Sequence, residues 1–356
     1  MESVCHGKEW DVALVFDKPL TKKFLIEDCE GATLVGAMPY LIGKRLGMRY
    51  IMQPELTQYS GPWYNYDYLK QKVVQNYVLK PELHPSTTFT QSERLEYEKK
   101  VADKLLLQID RLGLAYFQQN FSTLITNWLP FHWWGYSQTT RYTYRIPNLD
   151  NLDDVFFGFD NHHRRAKINE ASKTLVCDTL MTPEEFADYH SLYWSSKGKQ
   201  DILSKEFITR VCHQAIDHNQ GAIITARRAD TNEIMGARFI AWDNHTAYAL
   251  LSFLSLTKHP NGTSPLLFWE SIKHVSQISK ANGHSMAFDF EGSMDMNIEQ
   301  SYRLYGAEQT PYHQITKCNK RLFMILLEIK LRQSRRKLKK AMQEIHESKR
   351  KKRKRK

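Results

Sequence analysis

Residues 285–312 read SMAFDFEGSMDMNIEQSYRLYGAEQTPY. Met286, Ala287 and Phe288 form a short apolar run of the kind that makes a buried strand, and Asp289 and Glu291 follow on either side of Phe290. If the strand continues, alternation puts both carboxylates on the face opposite the Phe290 ring. Gly292 and Ser293 supply a turn, and Ile298, Tyr302 and Tyr305 then recur at helical spacing. Two carboxylates at the carboxyl end of a strand, beside a glycine turn, stand where open α/β sheets place their chemistry.

The flanking sequence supplies a fold for this stretch. Upstream, residues 222–228, 234–242 and 246–255 are predicted strands, separated by the turn residues of 230–233 and by Asp243-Asn244. The loop KHPNGTS (258–264) leads to a helix starting at Pro265, with Ser264 as cap and Phe268, Ile272, Val275 and Ile278 facing inward, and ending at Asn282-Gly283. Further back, Thr182-Pro-Glu-Glu185 is a capping box with proline at the first helical position, opening a helix to about Trp194. Ser204 caps a second helix with a Phe207, Val211, Ala215, Ile216 stripe, and residues 160–171 form a basic helical segment. A last strand is predicted over 312–317. The order is two helices, three strands, a loop, helix, strand, helix, strand; a ferredoxin-like or other α+β arrangement is the alternative.

The first half is mixed. Strands are predicted over 10–16, 32–42, 49–53, 114–117 and 138–146, and helices over 66–79 (Leu69, Val73 and Tyr77 on one face) and 92–112 (Tyr97, Val101, Leu105 and Ile109), the latter capped by Ser92 and stopped by Gly113. Gly61-Pro62 breaks residues 58–64 into a loop, and 80–85 is a connector. The expectation is an α/β fold in three parts: a first domain over 1–147, a second over 148–320, and a basic tail over 321–356.

Composition bounds the function classes. No apolar leader follows Met1, and the longest apolar run, residues 322–327, falls far short of the roughly 20 residues of a membrane span. The chain reads as soluble, cytoplasmic and unsecreted. Its five cysteines are scattered without a CxxC and its 14 histidines give no HExxH, so neither a disulfide framework nor a metal site is expected. The net charge of +11 is local: residues 319–356 hold 17 Lys and Arg against three acids, which leaves the rest of the chain at −3. Leu322, Ile325, Leu326 and Ile329 extend a helix off the last strand, with a thinner stripe at Leu338, Met342 and Ile345. The run KRKKRKRK (349–356) and the segment 330–356 that carries it suit nucleic acid phosphates or an anionic membrane surface, at which the protein would be peripheral.

FDFEGS (288–293), Tyr302-Arg303-x-Tyr305-Gly306-Ala307 and Pro311-Tyr312 together resemble the C-terminal signature of the FemABX-like and BioF2-like branch of the GNAT acyltransferase superfamily. Ser264-Pro-Leu-Leu267 is similar to that branch's helix start, Arg165-x-x-Ile168-x-x-Ala171 to the head of its second domain, and Gln58-Tyr59-x-Gly61 to an aromatic–glycine loop in its first. The resemblance implies two tandem GNAT-like domains and an acyl or aminoacyl transfer to an amine of a cell-envelope or related precursor. The co-substrate would be a coenzyme A thioester or an aminoacyl-tRNA, with no tightly bound cofactor and no metal.

On this reading Asp289 and Glu291 are candidate bases or amine anchors, with Asp289 as a turn cap and Glu291 as a solvated side chain the plainer alternatives. Gly262, Thr263, Ser264, Tyr302 and Arg303 would face the donor, although core packing is the favoured reading for Tyr302 and Tyr305. Gln58, Tyr59, Gly61 and Arg165 would face the acceptor. Two features depart from the family. Arg303 stands where many members have lysine, and arginine cannot shuttle a proton; a single glycine, Gly262, stands where a glycine-rich phosphate loop is expected. A non-catalytic RNA- or membrane-binding protein on the same scaffold is therefore the competing function.

Overall fold

The computed structural model describes residues 9–17, 32–79, 88–197, 203–257, 259–292, 294–320 and Ile325. The basic tail expected over 321–356, the connector over 80–85, Ser293 and Lys258 lie outside the described residues, Ile325 excepted. The chain divides into two compact units, one of residues up to Thr140 together with those from Tyr312 onward, the other Arg141–Pro311. The strand at 312–317, which the sequence assigned to the second domain, thus groups with the first 140 residues.

The first unit holds β1 (Glu9–Phe16), β2 (Leu34–Arg45), β3 (Met48–Ile51), β4 (Trp63–Tyr64), α1 (Tyr66–Leu79), α2 (Gln91–Asp110), β5 (Tyr116–Asn120) and α3 (Leu129–Trp133), and β6 (Ser137–Ile146) begins in it. Antiparallel β1, β2 and β3 lead to β5, parallel to β3. Val101, Leu105 and Ile109 of α2 are buried against this sheet, as their four-residue spacing requires. The α2 cap is Thr90, not Ser92. Thr90 Oγ1 accepts the Glu93 amide at 3.2 Å and Glu93 Oε2 accepts the Thr90 amide at 2.7 Å; a cap at Ser92 would put Leu95 at the return position, with no acceptor. Residues 58–64 are not loop throughout, since Trp63 and Tyr64 pair with Ala37 and Gly36 of β2.

In the second unit α4 (Leu152–Gly158) is followed by a π-helical turn over Asn161–Arg165, then α5 (Ala166–Ala171), β7 (Leu175–Asp178), α6 (Pro183–Ser196) and α7 (Lys205–Asp217). Strands β8 (Gly221–Arg228), β9 (Ile234–Trp242) and β10 (Thr246–Leu254) form an antiparallel meander, and α8 (Thr263–Asn282) carries the chain back to β11 (Ala287–Asp289). Then come α9 (Met296–Arg303) and β12 (Glu308–Cys318), whose latter part pairs antiparallel with β5 in the first unit. The second unit's sheet runs β6, β11, β10, β9, β8, β7, and only the β10–β11 pair is parallel. A helical crossover is what a parallel pair needs.

Two cores flank this sheet. Leu266, Leu267, Phe268, Ile272 and Val275 of α8 pack with Phe288, Phe290 and Tyr305 on one side. Phe186 of α6 and Ile208 and Cys212 of α7 pack with Phe239 and Phe253 on the other. The α6 capping box is as the sequence reads, with Thr182 accepting the Glu185 amide at 3.2 Å. The buried line of α7 runs through Ile208 and Cys212, with Phe207, Val211, Ala215 and Ile216 half-buried beside it. Strand β7 and helix α4, four and seven residues long, are too short to show a period. The α8 cap also differs: the helix begins at Thr263 with Gly262 at the cap, and Ser264 lies inside the first turn.

Candidate active site at the end of β11

Pairing between β10 and β11 ends at Tyr248 and Asp289, while β10 runs on to Leu254. One residue later the β9–β10 ladder shifts register between Ala249 and Leu251, and such a bulge bends a strand and re-aims its side chains. The start of α8 and the end of β11 lie at this same end of the sheet, because the helix links two parallel strands. The junction therefore lies at the carboxyl ends of strands, where open α/β sheets place their ligands.

Asp289 is fully buried. Its Oδ1 accepts the Thr143 hydroxyl at 2.5 Å and the Glu291 amide at 2.8 Å, and its Oδ2 lies 3.6 Å from Arg145 Nε. Arg145 in turn donates to Thr246 Oγ1 at 3.0 Å. The carboxylate thus joins β6, β10 and the turn after β11.

Glu291 does not share a strand face with Asp289. β11 ends at Asp289, Phe290 N donates to Tyr144 O at 3.0 Å, and Glu291 takes a left-handed φ of 57°. The expected alternation stops because the chain must pass close to β6: a Cβ on Gly292 would sit 2.0 Å from the Tyr142 carbonyl oxygen. A bulky residue with positive φ is a backbone outlier costing of order 1–3 kcal/mol. Glu291 Oε1 is also out of reach of solvent and has no hydrogen-bond partner among the described residues. Burial first, and the Asp289 charge second, push the Glu291 carboxyl up to about 8.

Tyr302 of α9 packs against Phe290 at 5.3 Å, Phe268 at 6.1 Å and Tyr144 at 6.4 Å between ring centres. Burial raises its phenol, the Arg238 charge opposes this, and the Glu291 and Asp289 charges add to it. Its neighbour Arg303 points away from this cluster's aromatic packing: its side chain is 59 % exposed and lies 4.0 Å from Glu299. Tyr305 is core, packed edge-on to Phe159 at 5.3 Å with Arg164 over its ring at 4.4 Å.

The sequence reading missed Arg238. It sits mid-strand in β9 between Ala237 and Phe239, is 5 % exposed, and lies 3.5 Å from the centre of the Phe268 ring. Among the described residues it makes no hydrogen bond and no ion pair, and its Nε is wholly buried. A desolvated cation–π contact contributes roughly 2 kcal/mol, against several kcal/mol for burying an unpaired ion. Burial lowers its basicity, and the phenols of Tyr302 and Tyr305 counteract that. A single arginine inside the otherwise apolar run IMGARFIAW was the available signal.

At the start of α8, Gly262 fits where a Cβ would lie 2.0 Å from the Lys167 carbonyl oxygen of α5. The Thr263 hydroxyl is buried and donates to Pro260 O at 2.8 Å. What this turn can offer a ligand is the half-buried Ser264, hydroxyl and amide, because Thr263 N already donates to Pro260 O at 3.1 Å and Pro265 has no N–H. Arg165 donates from Nε to Phe159 O at 3.1 Å and lies 5.6 Å from the exposed Phe157 ring.

Gln58, Tyr59 and Gly61 belong to the first unit. There the Gln58 carbonyl accepts Asn120 Nδ2 at 3.3 Å, while Gln58 Nε2 is buried without a partner among the described residues. Tyr59 meets Tyr312 edge-on at 5.3 Å, and Gly61 turns with φ of 95° against the Phe121 ring. The structure thus brings Asp289, Glu291 and Tyr302 together with Arg238, and places the Gln58 loop in the other unit. Among the described residues no group of His, Cys, Asp and Glu is arranged to hold a metal ion, and no helix is long and apolar enough to cross a membrane.

Residues 160–293, which end at this site, match the family model described as acetyltransferase (GNAT) domain. No curated protein matches the chain. Among solved structures, FemX is similar at 10 % identity and a TM-score of 0.49, over 85 % of this chain and 88 % of that one. L-PGS from Bacillus licheniformis is similar at 13 % identity and 0.47, over 83 % and 85 %. A tandem GNAT protein from the clavulanic acid biosynthesis pathway is similar at 9 % and 0.45, over 88 % and 83 %.

Proposed function

Taking residues 160–293 as an acetyltransferase domain of the GNAT superfamily, we propose that the chain is an acyltransferase acting at the end of β11. It moves an acyl or aminoacyl group from a coenzyme A thioester or an aminoacyl-tRNA to an amine of a cell-envelope or related precursor. Glu291 is the observation that carries this reading. Its carboxyl, with Oε1 buried and without a partner among the described residues, sits on a strained backbone, and both features cost stability that a purely structural residue would not require.

The amine nitrogen attacks the acyl carbonyl carbon, a C–N bond forms, and the C–S or C–O bond to the donor breaks. Glu291, as carboxylate, takes the amine proton, which then passes to the departing thiolate or alkoxide. A base whose pKa is about 8 is matched to this work near neutral pH. Asp289 acts through Glu291 as a positioning residue, holding its amide at 2.8 Å and its pKa up. The Ser264 hydroxyl and amide at the start of α8 face the donor, a helix N-terminus being favourable to phosphate. Tyr302 lines the site; Arg303 meets anionic groups from its rim. Arg165 serves the acceptor in the second unit, and an acceptor role for Gln58, Tyr59 and Gly61 is proposed separately for the first unit.

The test is transfer by the purified full chain, with labelled acyl-coenzyme A and charged tRNA offered separately to amine acceptors. Transfer from one donor, lost in Glu291→Gln, is expected. Undiminished transfer in Glu291→Gln would remove the base assignment. A non-catalytic RNA- or membrane-binding protein is the second reading, favoured by the packing of Gly262 onto α5 rather than into an open phosphate loop. Under it, removing residues 331–356 would abolish the only activity; an enzyme keeps turnover on soluble substrates.

A further inference from the structure

Arg238 presents a cation inside the second unit with no ion pair among the described residues to neutralise it. It has the Phe268 ring 3.5 Å beneath it and the phenols of Tyr302 and Tyr305 within its electrostatic reach. Arg164, the other buried guanidinium on this side, is engaged by the Ser301 carbonyl and hydroxyl at 2.8 and 2.9 Å and by the His163 carbonyl at 2.9 Å. Among the described residues Arg238 has no such acceptors, and its Nε is buried. Burying a charge without a partner is so unfavourable that native proteins pair it or give it a ligand.

We infer that Arg238 is the anchor for a carboxylate on the substrate, held between its guanidinium and the Tyr302 hydroxyl over the Phe268 and Phe290 rings. One fixed positive charge matches one negative charge; a phosphate dianion would leave a net charge among these aromatic rings. The planar guanidinium fork matches a carboxylate in two parallel hydrogen bonds, and the phenol adds a third donor. The ligand class is therefore an organic molecule carrying a carboxylate and a hydrophobic body to lie on the rings. This rests on the proposed site at the end of β11 for its place in the reaction, but binding can be measured without transfer.

The experiment follows broadening of the carboxyl resonance of 13C-labelled acetate by the full chain at constant ionic strength, with inorganic phosphate as competitor. Saturable binding by the wild type is expected, weakened at least 10-fold in Arg238→Met and about 3- to 10-fold in Tyr302→Phe, since hydrogen bonds to a charged group are the strong ones. Arg238→Lys keeps the charge without the fork and should bind with intermediate affinity. Unliganded Arg238→Met should melt no lower than the wild type, because the unpaired charge is gone. Absence of saturable binding overturns the inference, as does unchanged binding in Arg238→Met or stronger competition by phosphate than by acetate. An Arg238→Met protein that melts far below the wild type, or does not fold, assigns Arg238 to packing and also overturns it. Transfer without carboxylate binding would sink this inference alone; carboxylate binding without transfer would sink the proposed reaction alone.

Discussion

The Thr143 hydroxyl donates to Asp289 Oδ1 over 2.5 Å in a fully buried pair that ties β6 to β11. The same Oδ1 holds the Glu291 amide, so the carboxylate organises the turn that carries the candidate base. Thr143→Val leaves the carboxylate short of a donor and should cost about 1–3 kcal/mol. For a unit of this size that lowers the melting temperature by roughly 2–4 °C per kcal/mol, read by calorimetry.

Asp289→Asn separates fold from chemistry. It keeps the volume and removes the charge that, after burial, holds the Glu291 carboxyl up. The acid limb of the rate profile, along which the rate rises as Glu291 ionises, should therefore move to lower pH while the fold persists. An unmoved limb would argue against coupling between the two carboxyls.

Glu291 makes stability depend on pH. Its folded pKa of about 8 is above the ordinary 4.5, so between these values the folded chain keeps a proton that the unfolded chain releases. Its stabilising share is complete below pH 4.5 and is lost as pH rises to about 8, at up to about 1.4 kcal/mol per pH unit. Glu291→Gln should then gain stability over the wild type with rising pH, seen in urea titrations at pH 5 and pH 9. The same change should reduce turnover about 10²- to 10⁴-fold.

Gly262→Ala tests the start of α8. The added Cβ would meet the Lys167 carbonyl oxygen at 2.0 Å, and backbone cannot swing aside. Overpacking of this kind costs about 1–3 kcal/mol, measurable as a lower urea midpoint.

Much of the second unit was legible in its sequence because its elements carry local signals. The Thr182 capping box, the apolar runs of β8 to β10 and the Gly283 stop, at φ of 70°, all lie where the pattern puts them. Cap positions were harder, since Ser92 and Thr90 differ only in whether residue three places onward can return a hydrogen bond. The site was half legible. FDFEGS showed two carboxylates, but a period-two reading cannot foresee that Gly292 must clear the Tyr142 carbonyl and so swing Glu291 out of the strand. Arg238 escaped because its significance lies in partners it lacks, and these are set by α8 and α9 rather than by its neighbours in sequence. The grouping of Tyr312 and its successors with the first unit is likewise a matter of long-range pairing with β5.

The left-handed backbone at Glu291 has a practical consequence. A glycine there would relieve the φ of 57° and would at the same stroke remove a carboxyl whose Oε1 is buried with no partner among the described residues. Heat resistance and turnover thus pull position 291 in opposite directions. A random library sorted only for survival at high temperature should be enriched in Glu291→Gly, which would mark the proposed reacting centre before any substrate is in hand.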